Sequence, residues 1–218
     1  MNIEIKQVTT QAEREQVFRL RYRVYVEEIG AQMTYADHAH KKIEEPLDRQ
    51  GTILGAFLNG GLVGSVRINW GWQDIGACAD YYGMRVFEPY FPKKTTMTTR
   101  LVVAPEARRS TVAMSVIMAW YSVQRAAGVC FDFIDCRDDV KPMFLKLGYR
   151  QVLGQPVRHP ESGDLHYPLV LVHNDAEYLT RVRSPFRRVF DEFPPNVESV
   201  EFFYSTVLSR TNQLALAA

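Results

Sequence analysis

The sequence has few cysteines, almost no net charge and no long apolar run, and each absence excludes a class of protein. Only three cysteines occur among 218 residues, an odd number that does not suit a disulfide framework. The 26 basic and 25 acidic residues leave a net charge of +1, so nucleic acid is not an expected partner. We find no apolar run that would cross a bilayer and no secretory signal, and we therefore expect a cytoplasmic protein without a transmembrane segment.

Histidines are also few and scattered. The five histidines form no ligand motif such as HExxH, so we predict no metal site.

The apolar fraction of 46% is enough for one sizeable core. We predict a mixed α/β (α+β) fold in which residues 1–186 form one domain and residues 187–218 extend it as a helical tail.

Hydrophobic periodicity and turn residues predict the order of the elements. In chain order these are a strand at 3–8, a helix from Thr9 or Thr10 to about Glu28, a hairpin at 52–70 turning at Asn59-Gly60-Gly61, a strand at 98–104, a helix at 111–127, a strand at 129–136, a short helix ending at Gly148, a strand at 166–174 and a last helix at about 197–209. Residues 31–50 are polar and predict a loop that orders over a site. Residues 71–96 are irregular, and their aromatic side chains either line an apolar tunnel or form core beneath a loop.

The segment VAPEARRSTVA (103–113) joins a β-branched strand to a long apolar helix through a turn with two arginines. The first N–H groups of a helix have no acceptor within the helix, and the helix dipole adds partial positive charge there. Arg108 and Arg109 strengthen that charge, so the turn is suited to an anion such as a phosphate. The alternative is that both arginines are simply solvated.

This turn resembles the acyl-donor loop of the GNAT acyltransferase superfamily, Val-x-Pro-x-x-Arg-x-x-Gly-x-Gly/Ala before a long helix. Four positions fit the pattern: Val103, Pro105, Arg108 and Ala113. The resemblance implies a GNAT-like mixed, mostly antiparallel central sheet flanked by helices. It also implies that the turn binds the phosphate-bearing part of an acyl thioester through Val103, Arg108, Arg109, Ser110, Thr111, Val112 and Ala113.

Two departures from the superfamily pattern bear on the donor. Thr111 stands where the loop has its middle glycine, which lets the pyrophosphate of CoA come close. FLKLGY (144–149) is similar to a later Tyr-x-Lys-x-Gly-Phe element, and Phe144 replaces the tyrosine that protonates the leaving thiolate in many acetyl-CoA enzymes. Both departures favour a donor and a chemistry other than ordinary acetyl-CoA transfer.

The N-terminal half resembles one branch of the superfamily, the acyl-homoserine-lactone (autoinducer) synthases and the N-acyl amino acid synthases. The similar segments are LRYRVYVEE (20–28), EEPLD (44–48), VGSVRI (63–68), TTRLVV (98–103) and YLTRVRSPF (178–186). The tryptophan that follows the first helix in autoinducer synthases is missing, and Met97 stands where they have a glutamate. These differences favour acylation of an amine other than homoserine lactone.

The resemblance assigns the acceptor site to Arg21, Tyr25, Arg67 and Arg100. Arg67 and Arg100 lie in apolar strand patterns, where a charge needs a partner or a cleft. Together these two arginines suit the carboxylate of an amino acid.

The resemblance places three carboxylates near the acceptor, Glu28, Glu45 and Asp48, and these are the candidates to take the proton of the attacking amine. Glu45 and Asp48 have an alternative role, in which they pair with Arg21 and Arg67 and fix the loop onto the sheet. The two roles are compatible.

Three functions follow from these residues. The one we predict is N-acyl transfer from an acyl thioester, with acyl carrier protein the expected partner and donor, to the amine of an amino acid or a related small molecule. The second is acyl-CoA-dependent acylation of a small amine, and the third is a non-catalytic binder of acyl thioesters or carrier protein. In the two catalytic cases the acyl-phosphopantetheine or acyl-CoA is a co-substrate, and no permanently bound cofactor is expected.

Overall fold

A computed structural model describes residues 3–152, 155–159 and 163–209. These residues form two compact units. The first holds the described residues of Met1–Asn69 and Thr98–Tyr121, and the second those of Trp70–Met97, Ser122–His159 and Gly163–Ala218. The single domain over 1–186 with an extension at 187–218 stays a prediction.

The first unit is built on antiparallel strands. Its elements are β1 (Ile3–Gln7), α1 (Gln11–Tyr22), a π-helical segment (Arg23–Glu28), β2 (Ala36–Asp37), β3 (Lys42–Ile43), a 3-10 turn (Pro46–Arg49), β4 (Thr52–Leu58), β5 (Gly61–Trp70), most of β6 (Thr95–Val103), a 3-10 turn (Pro105–Ala107) and the start of α3 (Val112–Ala126). The strand order is β1-β4-β5-β6, with β1 and β5 each antiparallel to β4. β2 pairs with β3 in a separate two-stranded ribbon.

Helix α1 begins where the sequence supplies a capping box. The Thr10 hydroxyl accepts from the N–H of Glu13, and the Glu13 carboxylate accepts from the N–H of Thr10. Val17 and Phe18 then pack on strand residues in a cluster with Val8, Ile53 and Phe57. Burying each large apolar side chain contributes about 1.5–3 kcal/mol, so this face fixes α1 on the sheet.

The second unit surrounds a layer of aromatic side chains. Its elements are the first residues of β6, α2 (Cys78–Tyr81), a 3-10 turn (Met84–Phe87), the end of α3, β7 (Phe131–Cys136), α4 (Lys141–Leu147), β8 (Tyr149–Gln151), β9 (Val157–Arg158), β10 (Leu165–Val172), α5 (Ala176–Arg181), 3-10 turns at Pro185–Arg188 and Phe190–Glu192, α6 (Val197–Phe202) and a π-helical segment (Phe203–Leu208). The strand order is β6-β7-β10-β8, with β9 on β10. β6 and β7 are parallel, and β10 is antiparallel to β7, β8 and β9. Phe87 packs its ring 4.9 Å from Phe131 and 4.8 Å from Phe133.

These strands and helices confirm the predicted mixed, mostly antiparallel fold with flanking helices. Two segments differ from their predictions. The polar stretch 31–50 contains the β2–β3 ribbon and a 3-10 turn, and the last turns of the predicted first helix are π-helical from Arg23 to Glu28. Within the described residues, no helix combines the length and apolar character needed to cross a membrane.

The stretch 71–96 contains short helical segments, and some of its side chains are part of the hydrophobic core. Phe87 and Tyr82 are buried, whereas Trp72 is 63% exposed. Helix α2 and the 3-10 turn at Met84–Phe87 order this segment. The role of its aromatic side chains as core is therefore observed for Phe87 and Tyr82.

Two glycines at helix ends allow a matched test of packing. Gly148 ends α4 at φ +108°, and a Cβ there would lie 2.5 Å from Leu179 Cδ2. Gly128 follows α3 at φ +71° and has nothing within 4 Å of such a Cβ. Both Gly→Ala variants should lose about 1–2 kcal/mol from the left-handed backbone. Gly148→Ala should lose about 1–3 kcal/mol more from the clash. Urea unfolding of both variants measures the difference, and equal losses would contradict the proposed contact with Leu179.

Candidate functional site

Five charged side chains from four parts of the first unit meet in one place. We call Arg21, Glu45, Asp48, Arg67 and Arg100 the buried ion cluster. Arg21 comes from α1, Arg67 from β5 and Arg100 from β6. Glu45 directly precedes the 3-10 turn at Pro46–Arg49, and Asp48 lies within it. Four of the five side chains are no more than 3% exposed, and Arg100 is 14% exposed.

The sequence Glu-Pro-Leu-Asp orients both carboxylates. Asp48 Oδ2 accepts from the Glu45 N–H at 2.7 Å, and the Asp48 N–H donates to the Glu45 carbonyl at 2.9 Å. Pro46 occupies the first position of the turn, where its missing N–H costs nothing. The turn is further held because Arg14 donates to the Asp48 carbonyl at 2.9 Å.

Arg67 is the bridge between the two carboxylates. Its Nη1 donates to Glu45 Oε2 at 2.6 Å and to Asp48 Oδ1 at 3.1 Å, and its Nε donates to Thr99 Oγ1 at 3.2 Å. A Cβ on Gly51 would lie 2.9 Å from Arg67 Cγ, so the chain passes closely over the arginine stem. The charge in an apolar strand is therefore explained by partners, as its sequence position required.

Arg21 is fully buried and only partly satisfied. Its Nη1 donates to Asp48 Oδ2 at 2.7 Å. Its Nε and Nη2 have no hydrogen-bond partner within the described residues. Burying guanidinium N–H groups without acceptors is unfavourable, so this side chain has donors left for an anionic ligand. Its neighbours Arg19 and Arg23 are exposed, as expected for most of this arginine-rich stretch.

Arg100 is the member of the cluster that solvent reaches. Its Nε donates to Glu45 Oε2 at 2.9 Å and its Nη2 to Glu45 Oε1, and its guanidinium lies 5.6 Å from the centre of the Tyr25 ring. Its φ of +57° is left-handed, although it lies within β6. Such backbone costs on the order of 1–3 kcal/mol and concentrates at functional sites.

The cluster keeps its two carboxylates ionised. Burial alone would raise the pKa of Glu45, but Arg100, then Arg67 and Arg21, lower it to about 2. Burial likewise opposes ionisation of Asp48, yet Arg21 and Arg67 hold its pKa below the ordinary value. The cluster thus sets three guanidinium groups against two carboxylates. The structural pairing of Glu45 and Asp48 is thus observed, and a carboxylate with a pKa near 2 is a weak base.

Glu28 lies outside the cluster's hydrogen-bond network. Both of its oxygens accept hydrogen bonds from Arg108, which lies 80 positions later in the turn at residues 103–113, called here the donor turn. Beside it, Arg23 donates to both oxygens of Glu106 at 2.9 and 2.7 Å. These two surface ion pairs join the π-helical segment to the donor turn. Arg108, through its hydrogen bond, lowers the pKa of Glu28.

The donor turn, residues 103–113, carries its polar side chains on the surface. Arg109 is exposed with φ +64°, and Arg108 Nε donates to the Val103 carbonyl at 3.2 Å. Ser110 Oγ accepts from the Val112 N–H at 3.2 Å and so caps the start of α3. Thr111 is exposed at the same helix end. The predicted strand, turn and helix are therefore all present.

Val112 and Ala113, two of the residues predicted to bind the donor, are less exposed than Arg108, Arg109, Ser110 and Thr111. Val112 is 1% exposed and packs 3.0 Å from where a Cβ on Gly64 would lie, so its side chain belongs to the core. Ala113 is partly buried one residue further into α3. Their backbone N–H groups, rather than their side chains, are what a ligand at this helix end would meet.

Three contact residues of the site escaped the sequence analysis. Thr99 supports Arg67, and Arg23 with Glu106 supports the donor turn. The only signal for Thr99 in the sequence was its position directly before Arg100. The Arg23–Glu106 pair spans 83 positions, and nothing local in the sequence marks it.

The low pKa of Glu45 predicts an acid-dependent part of stability. Because the pKa falls from 4.5 to about 2 on folding, the ionised carboxylate stabilises the fold at neutral pH. This stabilisation is lost as the pH falls from about 4.5 towards 2. Glu45→Gln should lose about 3–5 kcal/mol at pH 7, since it breaks a buried ion pair. The gap to wild type should shrink on the order of 2 kcal/mol by pH 3.

Urea unfolding at pH 7 and pH 3 measures that gap. The control is Glu44→Gln, which makes the same chemical change at an exposed neighbouring position. A Glu45→Gln gap that stays constant with pH would contradict the assigned charge of Glu45.

One family of known proteins matches most of this chain. A family model described as "N-acyl amino acid synthase FeeM" matches residues 16–175. A search of curated proteins finds no match.

Solved structures share the fold at low sequence identity. FeeM, an N-acyl amino acid synthase from uncultured soil microbes, is similar with a TM-score of 0.64 and 14% identity, covering 86% of this chain and 97% of that one. BjaI, a CoA-dependent acyl-homoserine lactone synthase solved with SAM and isopentyl-CoA, has a TM-score of 0.65 and 14% identity, covering 84% and 91%. A Lactobacillus plantarum protein assigned as an N-acetyltransferase has a TM-score of 0.58 and 16% identity, covering 79% and 99%. The GNAT-like fold expected from the donor turn is thereby confirmed.

The family match spans most of the chain and includes the second half of α1, the ion cluster and the donor turn. The chain belongs to the FeeM N-acyl amino acid synthase family and is an N-acyltransferase, an enzyme that moves an acyl group to an amine.

Proposed function

We propose that the acceptor is an amino acid or a close derivative, and that its carboxylate binds at the buried ion cluster. The observation that carries this proposal is the buried guanidinium of Arg21, whose Nε and Nη2 have no hydrogen-bond partner among the described residues. A carboxylate supplies acceptors for those N–H groups. Arg100 is the arginine of the cluster that solvent reaches. Tyr25, whose ring faces Arg100, completes the proposed acceptor residues with Arg67.

We propose further that the acyl thioester is presented on acyl carrier protein and bound at the donor turn. Arg109 is exposed there, and α3 gives a fifteen-residue helix whose first N–H groups favour a phosphate. Arg108 already shares its charge with Glu28. Thr111 adds bulk at the helix end. Both features suit the single phosphate of a phosphopantetheine arm better than the pyrophosphate of CoA.

The reaction at such a site is aminolysis. The amine nitrogen attacks the thioester carbonyl, a tetrahedral oxyanion forms, and the thiolate leaves while the nitrogen loses a proton. The cluster contributes by holding the acceptor in line with the donor. Glu28, Glu45 and Asp48 stay the proposed proton acceptors, directly or through water. Their lowered pKa values make each of them a weak base, so the amine must lose its proton with little help at neutral pH.

One alternative concerns the donor. Acyl-CoA is the second candidate donor, since BjaI, with a similar fold, was solved with isopentyl-CoA. Phe144 is buried against Tyr149 and offers no acidic group for the leaving thiolate, so the thiolate must leave without a proton from this position. We also propose that the protein is cytoplasmic, which agrees with its three free cysteines.

The first experiment measures thiol release from acyl carrier protein and from acyl-CoA at several chain lengths, against a pool of amino acids. Mass spectrometry then identifies the products. We expect N-acyl amino acid formed from the carrier-protein donor, with little from CoA. Product from CoA alone would overturn the donor proposal, and thiol release that no amino acid stimulates would overturn the acceptor proposal.

A second experiment tests the carboxylate contact. Arg100→Met should raise the KM of the acceptor amino acid about 10–100-fold, the range expected for a charge-assisted hydrogen bond of about 1.5–3 kcal/mol. The amide of the same amino acid should bind wild type and variant with nearly equal KM, since it lacks the charge. Arg85→Met is the control, because Arg85 forms an exposed ion pair with Asp80 in the second unit. If Arg100→Met affects the acid and the amide alike, the arginine does not bind the acceptor carboxylate.

A further inference from the structure

A second group of polar side chains converges in the other unit, outside the proposed acyl-transfer site. It consists of Asp135 on β7, His159 after β9 and His166 on β10. One potential ligand atom from each residue lies within 4.8 Å of the other two. The sequence predicted no metal site because its histidines form no local motif, and these three residues are 24 and 7 positions apart.

Strand register explains why they meet. Asp135 pairs with Pro168 across β7 and β10, and His166 lies two residues before Pro168. His166 in turn pairs with Val157 across β10 and β9, and His159 lies two residues after Val157. Residues two apart on a strand share a face of the sheet. The three side chains therefore project from one face.

The geometry within the group resembles a ligand set. Asp135 Oδ2 accepts a hydrogen bond from His166 Nδ1 and lies 3.8 Å from His159 Nε2. The two imidazole rings are 4.6 Å apart between centroids and tilted by 39°. Exposure of the side chains is 16% for each histidine and 9% for Asp135. The group is shielded but reachable from solvent.

A second layer holds the carboxylate in place. The Tyr82 hydroxyl donates to Asp135 Oδ1, the oxygen that does not face the histidines. The Tyr81 ring contacts the His159 ring edge-on at 6.0 Å. Burial would raise the pKa of Asp135, but His166 and Tyr82 lower it, so the group is anionic at neutral pH. Partners that orient a ligand through its other atom are typical of metal sites.

We propose that Asp135, His159 and His166 bind a divalent transition-metal ion of the Zn²⁺ class. Two imidazole nitrogens and one carboxylate oxygen are borderline ligands, which suit Zn²⁺ or Co²⁺ better than the all-oxygen preference of Mg²⁺ or Ca²⁺. Zn²⁺ binds such ligands at about 2.0–2.2 Å, so the three ligand atoms, which lie within 4.8 Å of one another, would draw closer around the ion. Three protein ligands leave a fourth position open. The ion would join β7 to the β9–β10 hairpin, and acyl transfer as proposed above does not use it.

The test is metal binding by the full chain after treatment with a chelator and desalting. Calorimetric titration with Zn²⁺ should show one equivalent bound, and Co²⁺ should develop visible ligand-field absorption to the same stoichiometry. His159→Ala should weaken Zn²⁺ binding by at least about 100-fold, because loss of a second-layer partner alone costs about 10–100-fold. His166→Gln should act in the same direction and serves as a second variant if the first folds poorly by circular dichroism.

The matched control is His40→Ala. His40 Nδ1 lies 2.8 Å from Asp37 Oδ2, so it is a histidine–carboxylate pair, but it belongs to no three-ligand group within the described residues. Its removal should leave Zn²⁺ binding unchanged. Absence of saturable binding, binding only at millimolar metal, or equal affinity of wild type and His159→Ala would each overturn the proposal. The assay contains no acyl donor or acceptor, so its failure is independent of the proposed function.

Discussion

The cost of burying charge is the constraint on which the first unit depends. An isolated guanidinium or carboxylate in a protein interior is strongly unfavourable, and it is tolerated only with close partners. Arg21, Arg67, Glu45 and Asp48 meet that condition together, because each removes the penalty of another. The segment before β4 is therefore held against α1 and β5 by electrostatics as well as packing. Removal of any one member takes a close partner away from an opposite charge.

Such an arrangement specifies position more than it adds stability. An apolar core of equal volume is often at least as stable as a buried ion pair. What apolar side chains do not provide is a fixed guanidinium plane with donors left over. The left-handed backbone of Arg100 agrees with this view, since strained conformations persist where a function requires the side chain in one place. The fold accepts these costs where the acceptor amine would have to be aligned.

Sequence patterns predicted the elements whose signals are local, and lost accuracy where the signal is distant. The helix start at Thr10, the turn at Asn59-Gly60-Gly61 and the helix after Ser110 are encoded by adjacent residues, and each is present. The charge of Arg67 in an apolar strand was also readable, because it demanded a partner. The identity of that partner came from resemblance and not from periodicity. The sequence analysis found no signal for the π-helical end of the first helix. The pairing of Glu28 with Arg108 spans 80 positions, so no local pattern predicts it. The histidines near Asp135 were missed for the same reason, since only strand register brings them together.

The bidentate pair of Glu28 and Arg108 gives the donor turn an internal anion of its own. A phosphate that takes the place of Glu28 on Arg108 would bind by an exchange of anions and not by occupying an open positive site. Added salt would then have two opposed effects, because it weakens attraction of the phosphate and also weakens the hold of Glu28. The neighbouring Arg23–Glu106 pair would keep the π-helical segment attached during that exchange. Release of Glu28 would make a surface carboxylate available only while a donor is bound.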